Sequence, residues 1–130
     1  MWLDIAQGVF YKKGIGYMKA SATVDAGICG FKTKITAETD DGMRVTLRMG
    51  SNCDTIKALA DKVREKNPIN AFDELSPKDE STVLAICRPV LQTKGCCEAC
   101  VVPAAMSKAL QVAAGLALPK DVVIKITKES

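Results

Sequence analysis

The stretch FKTKITAETDDGMRVTLRMG, residues 31–50, decides the fold. In its first half Phe31, Thr33, Ile35 and Ala37 alternate with Lys32, Lys34, Thr36 and Glu38; in its second, Met43, Val45, Leu47 and Met49 alternate with Arg44, Thr46 and Arg48. Side chains change face at every residue of a strand, so this alternation marks two strands, each with one face in a core and one in water. Thr39-Asp40-Asp41-Gly42 lies between them. Asp accepts hydrogen bonds from turn backbone and Gly takes the left-handed conformation of a tight reversal, so the pair is predicted to be an antiparallel hairpin. Residues 22–26 offer a further strand ahead of it.

Downstream the period changes. Ile56, Leu59, Ala60 and Val63 recur at helical spacing among Lys57, Asp61, Lys62, Arg64 and Glu65, which predicts an amphipathic helix capped by Ser51 or Asn52 and ended by Asn67-Pro68. Residues 67–76 read as a connection with one turn around Phe72. Ser76-Pro77-Lys78-Asp79 has the chemistry of a helix start: a capping hydroxyl, a proline at the first helical position and an acid in the first turn. That helix is expected to run through Val83, Leu84 and Ile86 and to stop before Arg88-Pro89, with a buried strand over 82–87 as the alternative. Residues 90–100 read as a loop. Pro103 opens an Ala-rich helix to about Leu118, with Met106, Ala109, Leu110, Ala113 and Leu116/Ala117 on one stripe and Pro119 as its stop. Residues 121–127 place Val122, Ile124 and Ile126 on one face of a last strand. Strands followed mainly by helices predict the α+β class: a two-layer domain with an antiparallel three- to four-stranded sheet and helices packed on one face.

The 130 residues, 48% hydrophobic and 25% charged, suffice for one domain and leave no room for a second. Four of the six aromatic residues, Trp2, Phe10, Tyr11 and Tyr17, fall in the first seventeen positions. Residues 1–20 therefore read as an N-terminal appendage: an extra helix, a partner-binding tail, or a start placed too early with Met18 as the true one. Residues 21–130 read as a single cysteine-rich domain. Lys12-Lys13 reads as a solvated pair, and Gly14-Ile15-Gly16 lacks the spacing and the Lys-Ser/Thr of a phosphate loop. Eighteen basic against fifteen acidic residues give a net charge of +3, with the basic residues scattered, which is no footprint for nucleic acid. No stretch approaches the roughly 20 apolar residues of a membrane helix, and no basic-then-apolar leader opens the sequence. The expectation is a soluble, cytoplasmic protein with no membrane and no nucleic-acid partner.

There are six Cys and no His. Histidine acid–base catalysis, serine–histidine triads and mixed Cys/His metal sites are thereby excluded, and what chemistry there is must be sulfur chemistry. In a reducing compartment such thiols are metal ligands or redox groups before they are a disulfide framework. Cys29 sits in Gly27-Ile28-Cys29-Gly30, whose glycines let the backbone turn and leave the sulfur uncrowded. Cys53 opens the first amphipathic helix and Cys100 precedes the Ala-rich one, where helix N-termini favour the thiolate, the form that binds metal and attacks. Cys97-Glu98-Ala99-Cys100 is a C-x-x-C, a spacing that structural zinc, iron–sulfur and dithiol redox sites share. Cys87, after Val83-Leu84-Ala85-Ile86, reads equally as a small core hydrophobe and as a ligand, and Cys96 reads as a bystander. Met43 and Met49 read as core rather than as copper ligands.

The order of these pieces, Gly27-Ile28-Cys29-Gly30 in the first hairpin turn, Gly50-Ser51-Asn52-Cys53-Asp54 opening a helix, and Cys100-Val101-Val102-Pro103 ahead of the Ala-rich helix, resembles the NifU/IscU-type iron–sulfur scaffold domain. It also resembles small uncharacterised cysteine-rich domains of anaerobic bacteria and archaea. The likeness covers roughly residues 22–117 in order rather than identity. It implies that Cys29, Cys53 and Cys100 converge at one end of the sheet as ligands for an iron–sulfur cluster or zinc, with Cys97 or Cys87 as the fourth. Two departures bear on function. The scaffold family has an Asp two residues after its first Cys, which helps cluster release, and here that position is Phe31; the family also has a His beside its last Cys, and this chain has none. An all-thiolate site holds its metal more permanently than a transfer scaffold does.

The leading expectation is an intracellular metal-binding protein with a site from Cys29, Cys53, Cys97 and Cys100. An iron–sulfur cluster is the expected occupant and zinc the alternative, with a protein partner in cluster handling, sulfur transfer or electron transfer. The second reading is a thiol-based redox or sulfur-transfer protein cycling Cys97 and Cys100 between dithiol and disulfide. The third is an interaction module whose Cys are packing and whose aromatic N-terminus binds a partner.

Overall fold

The computed structural model describes residues 2–4, 11–13, 17–76, 79–93 and 95–130. Its centre is a four-stranded antiparallel sheet in the order β3-β4-β5-β6, formed by β3 (Met18–Asp25), β4 (Lys32–Thr39), β5 (Arg44–Ser51) and β6 (Ile69–Asn70). The alternation in residues 31–50 appears as burial: Thr33, Ile35, Ala37, Val45 and Leu47 are buried, whereas Lys32, Lys34, Arg44 and Arg48 are exposed. Glu38 pairs with Thr46 at the hairpin end. There the Asp41 carboxylate accepts from the N–H groups of Met43 and Arg44, both at 2.9 Å, and Gly42 turns with a φ of 73°. Those backbone donors, Arg44 first, hold the Asp41 carboxyl down at about 2. The strands are one residue shorter at each start than the pattern suggests. Phe31 and Met43 belong to turns and are partly exposed, because the glycine turn at 27–30 and the Asp-anchored turn claim the residues next to them.

Helices cover one face only. α1 (Asp54–Lys66) buries Ile56, Leu59 and Val63 against β5. Its cap is Cys53 rather than Ser51 or Asn52, whose side chains are spent elsewhere. α2 (Ala71–Leu75) is capped by Asn70, which accepts from the N–H groups of Phe72 and Asp73. α3 (Thr82–Leu91) is capped five residues later than Ser76 and does not form the alternative strand. Its cap is Ser81, and the Glu74 carboxylate reaches over from α2 to accept from the Ser81 hydroxyl and the N–H groups of Thr82 and Val83. Ser76 ends α2 instead, and Pro77 lies outside the described residues. α3 runs through Pro89 because a proline this near a C-terminus costs one hydrogen bond, while Leu91 continues the buried stripe of Val83, Ile86 and Cys87.

α4 (Val102–Ala113) packs along β3 and β4 and buries Met106, Ala109, Leu110 and Ala113. It stops short of Leu118. Gly115 takes a φ of 76° and donates to the Val112 carbonyl, and the Leu116 N–H donates to the Gln111 carbonyl, a Schellman end that satisfies the last carbonyls. The expected strand over 121–127 does not form: residues 118–130 have no paired neighbour, and Val122, Ile124 and Ile126 stand exposed. Alternation selects a face, but a strand also needs a partner's hydrogen bonds. Ahead of the sheet, β1 (Trp2–Asp4) pairs antiparallel with β2 (Tyr11–Lys13). Phe10 and residues 14–16 lie outside the described residues.

Candidate metal centre

A short 3-10 turn, Gly27–Cys29, joins β3 to β4. The Gly30 N–H donates to the Gly27 carbonyl at 2.9 Å, and both glycines have positive φ, 84° and 72°, a conformation in which a side chain would strain the turn. Cys29 is exposed on this turn, and Ile28 beside it is fully exposed.

Ser51 and Asn52 tie the end of β5 to the start of β4. The Asn52 side-chain oxygen accepts from the Lys32 N–H at 2.9 Å, the Ser51 hydroxyl donates to the Lys32 carbonyl at 3.0 Å, and it accepts from Thr33 Oγ1 at 2.9 Å. The same Ser51 oxygen accepts the Cys53 N–H at 3.1 Å. This strap seats Cys53, half-buried, beside the turn that carries Cys29. Ser51 and Asn52 thus act as a strap rather than as caps, and no local sequence signal distinguishes a cap from a strap to a strand twenty residues away.

The direction of α4 decides where the other thiols fall. Its C-terminal end lies at the β4–β5 turn: a Cβ on Gly42 would meet the Ala114 carbonyl oxygen at 4.0 Å, and one on Gly115 would meet Met18 Cε at 3.5 Å. Lying along β3 and β4, α4 therefore starts at the opposite end of the sheet, where the Cys29 turn and Cys53 are. Cys97 and Cys100 immediately precede it. Cys97 belongs to a 3-10 turn, Gly95–Ala99, and the Cys100 N–H donates to the Cys97 carbonyl at 3.0 Å. Cys53, Cys97 and Cys100 are partly buried against the margin of the core. Cys100 stands two residues before Val102, just outside the helix start rather than on it.

Cys87 differs. It is 1% exposed on the inner stripe of α3, with Sγ 3.7 Å from Met106 Sδ. Burial, and secondarily the neighbouring Cys100, push its thiol up to about 12. It is a protonated core thiol at neutral pH and a poor ligand where it stands. The Cys96 side chain lies outside the described residues.

The fold thus brings Cys29, Cys53, Cys97 and Cys100 to one end of the sheet from three separate stretches of chain. It does not draw them into a closed set: among the described residues no three Cys, Asp or Glu stand close enough to hold a metal ion. Among the described residues nothing outside the immediate chain neighbours lies within 4 Å of where a Cβ would stand on Gly27, Gly30 or Gly50.

An open antiparallel sheet with helices on one face and thiols gathered at one end defines a small cysteine-rich α+β domain. No described helix is long and apolar enough to cross a membrane. The chain belongs to the family of unknown function DUF6951, whose model matches residues 20–126, from β3 through the segment after α4. No curated protein and no solved structure matches the chain.

Proposed function

We propose that this protein binds a metal centre through the thiolates of Cys29, Cys53, Cys97 and Cys100. An iron–sulfur cluster is the favoured occupant, and zinc is the alternative that four soft thiolates also suit. The observation that supports this most is the direction of α4 on the sheet, which puts the C-x-x-C at the same end as two cysteines distant in sequence. A core thiol needs no such convergence. The uncrowded glycine turn gives Cys29 room to close on Cys53, and the four sulfurs would supply all the ligands, with no His required.

The order of the cysteine-bearing elements is that of the NifU/IscU-type scaffold it resembles. Phe31, partly exposed, stands where that family has its Asp, so no carboxylate is present there to loosen a cluster. The protein on this reading is a stable holder or carrier in a reducing cytoplasm that serves a protein partner in cluster handling or electron transfer, and not an enzyme. Cys87 would stay a core thiol. The second reading, a dithiol cycling between Cys97 and Cys100, draws on the bond that keeps the two in one turn. Purification without oxygen, followed by iron, sulfide and zinc analysis and a visible spectrum on one sample, separates them. Iron with sulfide and a brown chromophore supports the cluster, and colourless protein with one zinc supports a structural site. Metal-free protein whose Cys97 and Cys100 oxidise reversibly overturns the metal reading in favour of the dithiol.

A further inference from the structure

The segment after α4 and the outer edge of β3 each lack what the other offers. Residues 118–130 form neither helix nor strand and pair with no strand among the described residues, and Val122, Ile124 and Ile126, on one face by alternation, are 58%, 64% and 91% exposed. Soluble proteins seldom leave three large apolar side chains in a row on such a face. β3 is the outermost strand of its sheet, eight residues long, so its outer N–H and C=O groups are unpaired among the described residues. A long open edge is a template for another strand. On its helix-covered side β3 carries Ala20 and Ala22, small and only partly buried, next to Val24. The family match extends through residue 126, so this segment is part of the module rather than an addition to it.

We infer that residues 120–127 add as a strand to the β3 edge of a second copy of this chain, two copies exchanging these segments. Among the described residues of its own chain the segment pairs with no strand, so another molecule's open edge is the partner inferred for it. The charges select the alignment. Only two antiparallel registers set all three apolar residues against β3, and they oppose Asp121 to Asp25 or Lys125 to Lys19. The parallel register that sets Val122, Ile124 and Ile126 against Ala20, Ala22 and Val24 pairs Asp121 with Lys19 and leaves Lys125 diagonal to Asp25. The added strand would then cover the small residues at the edge with large ones, and its polar face would continue the solvated face of the sheet. The exchange of segments requires no metal.

Light scattering on the full chain under reducing conditions tests it. The expected mass is twice the 13.9 kDa of one chain, and Ile124→Lys, which changes an exposed residue outside the folded core, should give a folded monomer that keeps its helical circular dichroism signal. Lys19→Asp should weaken the dimer, and Lys19→Asp combined with Asp121→Lys should restore it. A monomeric full chain, or a dimer that persists in Ile124→Lys, overturns the inference. A double variant no tighter than Lys19→Asp alone overturns the register. A dimer that also persists in Cys53→Ser separates this association from any bridging by metal.

Discussion

Cys87 is the thiol for which packing and ligation make opposite predictions. It is 1% exposed, on the apolar stripe of α3, with Met106 Sδ against its sulfur. Cys87→Ser keeps the shape but sets a hydroxyl among apolar side chains. A buried hydroxyl without a good partner costs about 1–3 kcal/mol. The Ser can turn back to the Val83 carbonyl one helical turn earlier, which places the cost toward the lower end of about 1–3 kcal/mol. At roughly 4 °C per kcal/mol for a chain of this length, that lower end corresponds to a fall in Tm of about 4–6 °C. Cys29→Ser, on an exposed turn, should stay within about 0.5 kcal/mol of the parent. The assay is thermal and urea unfolding of reduced, chelator-treated protein, so that no ligand contributes to stability. Alkylation gives a second readout. With its thiol pushed up to about 12, Cys87 is thiolate in only about one molecule in ten thousand at pH 8 and should label after unfolding, long after Cys29. The pH dependence has a definite sign: a folded value raised above the ordinary 9.0 means that the stability Cys87 contributes is complete below about pH 9 and is lost as pH rises toward 12. A Cys87→Ser protein that melts with the parent, or a Cys87 that labels as fast as Cys29, would refute the packing argument.

Three further outcomes follow from the elements that shape the sheet and its helices. The Asp41 carboxyl, held down at about 2 by the Arg44 and Met43 N–H groups, stabilises the β4–β5 turn above its ordinary 3.8 and loses that effect as pH falls through about 2; Asp41→Asn should flatten the acid limb of the stability curve, and an unchanged limb would refute the assignment. Glu74→Ala removes the acceptor for Thr82 and Val83 and should cost about 1 kcal/mol in urea unfolding, with Glu74→Gln recovering part of it; equal stability of Glu74→Ala and the parent contradicts its capping role. Gly115→Ala forces a Cβ into a φ of 76° and should cost about 1–2 kcal/mol, more than Gly115→Asn; the reverse order would show that the α4 end does not depend on that conformation.

What the sequence made legible was whatever depends on near neighbours. The β4–β5 hairpin, the α1 stripe of Ile56, Leu59 and Val63 and the α4 stripe of Met106, Ala109 and Leu110 all follow from spacing within one element. The α3 start was not legible, because its cap is completed by Glu74 from a different helix, and Ser76-Pro77 imitated a cap locally. The end of α4 was fixed by Gly115, four residues before the proline that looked like the stop. Residues 121–127 carry a strand's alternation without a strand's partner, and no local pattern reveals the difference. For the candidate site, the thiols of interest could be named from their places at turns and element ends. Their gathering at one end of the sheet depends on the direction of α4, fixed by contacts of Met18 and Gly42 with residues about seventy or more positions away. The burial of Cys87 was one of two readings its apolar neighbours allowed, and the packing of α3 on α4 decided it.

The most direct test of the thiolate site is metal stoichiometry after anaerobic reconstitution with iron and sulfide, and separately with zinc, in the parent chain and in single Cys→Ser variants at 29, 53, 87, 97 and 100. The account predicts stoichiometric binding in the parent, loss of it in Cys29→Ser, Cys53→Ser, Cys97→Ser and Cys100→Ser, and retention in Cys87→Ser once its lower stability is allowed for by working well below its Tm. Equal metal content in the parent and Cys53→Ser, or no metal in any of them, would contradict it.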